Sequence, residues 1–119
     1  MADVKLIENQ GVSQTFKQQV IDLLSSIYDP ELPLNIYDLG LIYEIHFNPI
    51  QQSGVCRLEI IMTLTTPACP VAGSLPGEIS EKLKTIEGVE DAKTTLTWSP
   101  AWSKSRLSPE HELLFSAFM

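Results

Sequence analysis

Residues 55–70 read VCRLEIIMTLTTPACP. In the first ten, Cys56, Leu58, Ile60, Met62 and Leu64 alternate with Val55, Arg57, Glu59, Ile61 and Thr63. Period two with one apolar face predicts a half-buried strand over 55–64 and puts Cys56 on its core side. The run stops at Thr65, Thr66 and Pro67. Beyond it Leu75, Ile79, Leu83 and Ile86 fall at helical spacing and predict a second kind of element. Ser74 is its expected N-cap, Pro76 fits the first turn, where a missing N–H costs nothing, and Gly88 is the expected C′ residue. Between strand and helix lies Cys69. A Cys just ahead of a helix meets free N–H groups and the positive end of the helix dipole, both of which favour thiolate. A thiol of lowered pKa is a nucleophile or a soft-metal ligand at neutral pH. The other reading, a small buried apolar residue, is equally open from position alone.

Working outward, residues 41–47 alternate in the same way. Leu41, Tyr43, Ile45 and Phe47 oppose Ile42, Glu44 and His46, and a polar linker with Pro49 makes the two strands a hairpin. Downstream, residues 89–98 give a third strand with Ala92, Thr94, Leu96 and Trp98 on one face. Upstream, Phe16, Val20, Leu23, Leu24, Ile27 and Tyr28 form one apolar helical stripe. Thr15 with Gln18 fits a capping box, Ser13 is the rival cap, and Pro30 is the expected stop. Ser108 and Pro109 begin a short terminal helix. The expected fold is α/β in two layers, α-β-β-α-β. A small mixed three-stranded sheet carries both helices on one face, with residues 1–12 a flexible tail or an irregular edge segment and 13–119 a single domain.

The loop DPELPLNIYDLG, residues 29–40, supplies Asp29, Glu31 and Asp38 as carboxylates and Asn35 as an amide. Asp commonly accepts backbone N–H bonds in turns, which is the bland role for each of these acids. Fifteen acidic against eight basic residues give a net charge of −7, which argues against phosphate binding and so against nucleic acid. No apolar run approaches the roughly 20 residues of a membrane helix, and the N-terminus has no apolar signal core, so a cytoplasmic location is expected. The two Cys could form at most one disulfide, disfavoured in a reducing compartment. There is no P-loop, no GxGxxG, no CxxC and no GxSxG. A cysteine hydrolase would need His46 or His111 beside Cys69.

Three segments, DPELPLNIYDLGLIY (29–43), TLTTPACP (63–70) and WSPAW (98–102), together resemble the SufT/PaaD family of iron–sulfur assembly proteins. The resemblance spans about residues 15 to 115. It implies a small α/β domain that is a maturation factor and not an enzyme, with Cys69 as its functional thiol and Asp29, Glu31, Asp38, Thr65, Thr66 and Pro70 as the supporting loops. It makes Trp98, Pro100 and Trp102 a tail motif, in which Ala101 stands where the family commonly has a second proline; Trp102 by itself reads equally as core cover or as a partner contact. It implies no tightly bound cofactor. A transient iron–sulfur cluster or iron would be held by Cys69, shared across a homodimer, because one thiol cannot close a site that usually takes four. Partners would be cluster scaffolds or carriers and client apoproteins. The second reading is an accessory component of a phenylacetyl-CoA oxygenase system. PaaD-type proteins, however, typically extend into a Cys-bearing C-terminal segment, and no Cys follows Cys69 here.

Overall fold

A computed structural model of the chain describes residues 4–8, 12–28, 34–50, 54–64 and 74–117, the side chains of Glu8, Lys104 and residues 115–117 excepted. Four strands form one mixed sheet in the order β1 (Lys5–Glu8), β2 (Ile42–Pro49), β3 (Cys56–Met62), β4 (Val89–Leu96). The outer pairs β1–β2 and β3–β4 are parallel, and the central pair β2–β3 is the expected antiparallel hairpin. Helices α1 (Gln14–Leu24) and α2 (Leu75–Leu83) make the two crossovers, and α3 (Pro109–Ala117) is terminal.

The hairpin register explains the core. Ile45 lies opposite Ile60 and Phe47 opposite Leu58, and β4 extends these rows with Thr94 and Ala92. Alternation therefore gathers Ile45, Phe47, Leu58, Ile60 and Ala92 on one buried face. Both helices cover that face. Phe16 of α1 meets the Phe47 ring edge-on, with centroids 6.2 Å apart. Ser80 of α2 shares a 2.8 Å hydrogen bond with Thr94. The opposite face carries the row His46, Glu59 and Lys93, which is the polar side read from the sequence. Cys56 is buried, as its place in the alternation required.

The sheet has one strand more than the three expected. Residues 5–8, placed in a flexible tail or an irregular edge segment by sequence, pair with β2 from Lys5 opposite Glu44 to Glu8 opposite Phe47. Four residues, KLIE, are too few to display a period, and their pairing is set by a strand far along the chain. β2 also runs on to Pro49, which pairs with Cys56 at the strand's last position, where a missing donor is tolerated.

The helix ends correct several local expectations. Ser13, not Thr15, caps α1: its extended backbone (φ −73°, ψ 153°) lets Oγ accept the Phe16 N–H at 3.1 Å. Gln18 is thereby freed and donates to Asp22 one turn on, at 2.8 Å. The helix stops at Leu24, ahead of Pro30: the Ser25 N–H still makes the helical bond to Ile21, but the Ser26 and Ile27 N–H groups close tighter turns onto Leu23 and Leu24. Ser74 holds the N-cap position of α2 without a side-chain bond, and Pro76 does lie in the first turn. Lys84 is the C-cap of α2, and Gly88, at φ 97°, instead turns the chain into β4. Ser108 caps α3 as expected, accepting the His111 N–H at 3.3 Å. Ser13→Ala is expected to cost about 1 kcal/mol of stability in urea unfolding, whereas Thr15→Ala should cost much less.

Candidate functional site

One rim of the sheet, where β2 begins and β3 and β4 end, is tied together by a relay of main-chain bonds. Tyr28 and Asn35 form a bridge, and Ile36 N–H donates to Ile27 at 2.8 Å. Leu41 N–H donates to Ile36 at 3.2 Å, Thr63 N–H to Leu41 at 2.8 Å and Thr97 N–H to Met62 at 2.8 Å. The described residues flanking the acidic loop, Tyr28 and Asn35, thus belong to the same rim as Thr63, which precedes the Cys69 loop. Asp29, Glu31, Thr65, Thr66, Cys69 and Pro70 themselves lie outside the described residues. The ends of parallel strands are where α/β folds commonly place ligand sites.

Asp38 is the acid of the predicted set that lies among the described residues. Its N–H donates to Asn35 Oδ1 at 2.7 Å, and Asn35 Nδ2 donates back to Asp38 Oδ2 at 2.8 Å. Asn35 is buried, so its amide must be satisfied within the protein, and Asp38 does this. Leu39 and Gly40 N–H groups close the turn onto Asn35 and Tyr37, and Gly40 has φ 75°. The half-exposed Asp38 carboxylate also faces His111 Nε2 of α3 at 4.0 Å. Burial, with the Asp38 charge adding to it, raises the Tyr37 phenol above its usual range and keeps it neutral.

The segment after β4 wraps over this turn. Trp102 Nε1 donates to the Leu39 carbonyl at 2.7 Å, and its ring packs against the core. Arg106 Nε donates to Gly40 at 2.7 Å, a second guanidinium nitrogen reaches Ile42 at 3.4 Å, and the group lies 4.4 Å from the Tyr43 ring centroid. The Tyr43 hydroxyl donates in turn to the Pro100 carbonyl at 2.7 Å. Four donors therefore hold tail and turn together. Sequence reasoning missed Arg106 and the approach of His111 to Asp38. Nothing local marks either, since Arg106 and Gly40 are 66 positions apart. Arg106→Ala is expected to lower stability by about 1–3 kcal/mol, read by thermal or urea unfolding, because two charge-assisted bonds to backbone carbonyls are lost.

His46 stays on the polar face, 2.8 Å from Glu44, and is not brought to the rim. Among the described residues no group of three His, Cys, Asp or Glu side chains is placed to hold a metal ion, and no helix is long and apolar enough to cross a membrane. Burial pushes the Cys56 thiol up, an effect only partly offset by a backbone hydrogen bond from Asn48. Cys56 is therefore expected to resist iodoacetamide in the native protein. Cys69 should alkylate much faster, with a pH–rate midpoint below the roughly 8.5 of a free thiol. Equal rates at the two positions would contradict this.

The sequence pattern of the family described as "Iron-sulfur cluster assembly protein" matches residues 17–95. The chain is 36% identical over 94 residues to the "Fe-S protein maturation auxiliary factor" of Porphyromonas gingivalis, covering 79% of this chain and 85% of that protein. It is 33% identical over 82 residues to the "Fe-S protein maturation auxiliary factor SufT" of Staphylococcus aureus, covering 69% of this chain and 88% of that one. A crystal structure of a domain of unknown function, DUF59, from Bacillus anthracis superposes with a TM-score of 0.70 at 29% identity, covering 84% of this chain and 91% of the other. The segment matched by the family pattern runs from α1 through β4 and includes both loops that adjoin the rim, and the chain belongs to the iron–sulfur cluster assembly protein family.

Proposed function

We propose that the protein is an iron–sulfur maturation factor that works by binding and not by turnover, with Cys69 as its functional thiol. The observation that carries this reading is the match across residues 17–95, joined by relatives named as maturation auxiliary factors over most of their own length. The cargo is iron or an iron–sulfur cluster in transit. A thiolate at Cys69 contacts it, with Asp29 and Glu31 as the oxygen donors that the family resemblance assigns to the same site. Oxygen donors are harder than thiolate and hold a cluster less firmly, which suits release over storage. The Asn35–Asp38 turn, braced by Trp102 and Arg106, gives the described part of this rim a firm base. That arrangement supports Asp38 in a structural role within the site. The partners are cluster scaffolds or carriers and client apoproteins, met in the cytoplasm.

The test is an anaerobic pull-down with the tagged chain from its own cells. Recovery of cluster carriers together with several unrelated iron–sulfur proteins is the expected result. Recovery of a single oxygenase complex and no carrier would replace this reading with the accessory role.

A further inference from the structure

A groove of about 430 Å³ runs between the C-terminal half of α1 and the turn after α2. Gln19, Asp22, Leu23, Ser26, Ile86 and Glu87 line it, and none of them belongs to the rim beside the Cys69 loop. Leu23 lies on the apolar stripe of α1 and Ile86 in the turn after α2; both touch the core, yet both stay only half-buried. They form an apolar floor that the packing of α1 on α2 leaves uncovered. Asp22 and Glu87 are exposed at the edge of the groove, and among the described residues neither takes part in an ion pair. Gln18 holds the Asp22 carboxylate by its 2.8 Å bond.

The charge around this groove runs against local preference. The C-terminal end of a helix carries the negative end of its dipole and favours a cation there. The last turn of α1 has no base, and Asp22 stands in it. The bases of α2 do not compensate: Lys82 is held by Glu78 at 3.3 Å, and Lys84 by Glu81 at 3.4 Å and Asp91 at 3.5 Å. Two carboxylates without a cation and a helix end thus put negative potential around an apolar floor. A local rule broken on a surface without compensation is a mark of a binding surface.

We propose that this groove docks a short basic segment of a partner protein. One aliphatic side chain lies on Leu23 and Ile86, and flanking Lys or Arg side chains meet Asp22 and Glu87. A nucleic acid is repelled by the same charge. A second copy of this chain would bring a net −7 body, acidic edge to acidic edge, if it paired through this face. The proposal stands apart from the Cys69 reading and survives if that reading fails.

The experiment is a titration of the isotopically labelled protein with the peptide KRLLKR, followed by backbone amide shifts. Saturable shifts centred on Leu23 and Ile86 are expected, with affinity falling as salt rises. The double variant Asp22→Lys, Glu87→Lys should bind at least about tenfold more weakly. The peptide KRSSKR should also bind much more weakly, because the floor is apolar. Equal binding of KRSSKR, unchanged binding by the double variant, or shifts centred elsewhere would each overturn the proposal. So would self-association of the unliganded protein through Leu23 and Ile86. Both substituted positions are exposed, and the salt dependence of the unaltered protein gives a second reading should the variant fold poorly.

Discussion

Phe47→Ala is expected to lower the free energy of unfolding by about 3–5 kcal/mol. Phe47 is fully buried on the inner face of β2, with Leu58 opposite it across the hairpin. Its ring is also the surface on which α1 rests, through the 71° edge contact with Phe16. Removing it opens a cavity and strips α1 of an aromatic partner, and such pairs add about 0.5–1.5 kcal/mol beyond burial. A domain of this size has only about 5–15 kcal/mol in all, so the loss should show as a large fall in the urea midpoint at an unchanged slope. Lys93→Ala on the polar face should stay within about 0.5 kcal/mol. A cost under about 1 kcal/mol for Phe47→Ala would mean that α1 does not depend on this face.

The difference between those two positions is legible in the sequence. Across β3 and from Glu44 to Phe47 in β2 the alternation holds because one face is buried and the other wet, and a slip of one residue would reverse every side chain. At the start of β2 a register shift between Ile42 and Glu44 breaks it and sets Ile42 opposite Met62, fully buried, where the sequence pattern put it on the polar face. That constraint alone assigns Cys56, Leu58 and Phe47 to the core. β1 escapes it because its four residues pair through backbone groups, which carry no sequence signal. The choice of Ser13 over Thr15 as cap is hidden for a different reason. Both have a hydroxyl, and only the backbone angles at the helix entry decide which one reaches an N–H.

The rim shows the same division. The turn spans the four residues Asn35 to Asp38 and is a local pattern of short polar side chains bonding nearby backbone, so a turn role for Asp38 is legible from sequence. The clamp of Trp102 and Arg106 joins positions more than 60 apart and is a product of topology. In the sequence Trp102 reads equally as core cover or as a partner contact, and the structure shows the first. Its place in the fold, with the indole N–H on Leu39 and the ring on the core, gives it a structural duty whatever else it touches.

Cys69→Ala is expected to abolish the maturation function and leave thermal unfolding nearly unchanged. The chain has two thiols. Cys56 is buried in the sheet core, and burial raises its pKa and so disfavours its thiolate. Thiol chemistry of the folded protein is therefore expected at Cys69. The check is complementation in cells lacking the protein, read as the activity of cluster-dependent enzymes, with melting of the purified variant in parallel. A loss of more than about 2 kcal/mol would place Cys69 among buried residues, since that is the scale of a large core truncation. The same count limits what the protein can hold. The common clusters take four thiolates. One chain offers one, and two chains offer two, so the rest must come from oxygen donors or small thiols. Anaerobic reconstitution with iron and sulfide should then give visible absorption only with added thiol or in a dimeric fraction on gel filtration. A stable cluster on the monomer without added thiol would refute the count, because even with Cys56 recruited the chain holds only two thiols.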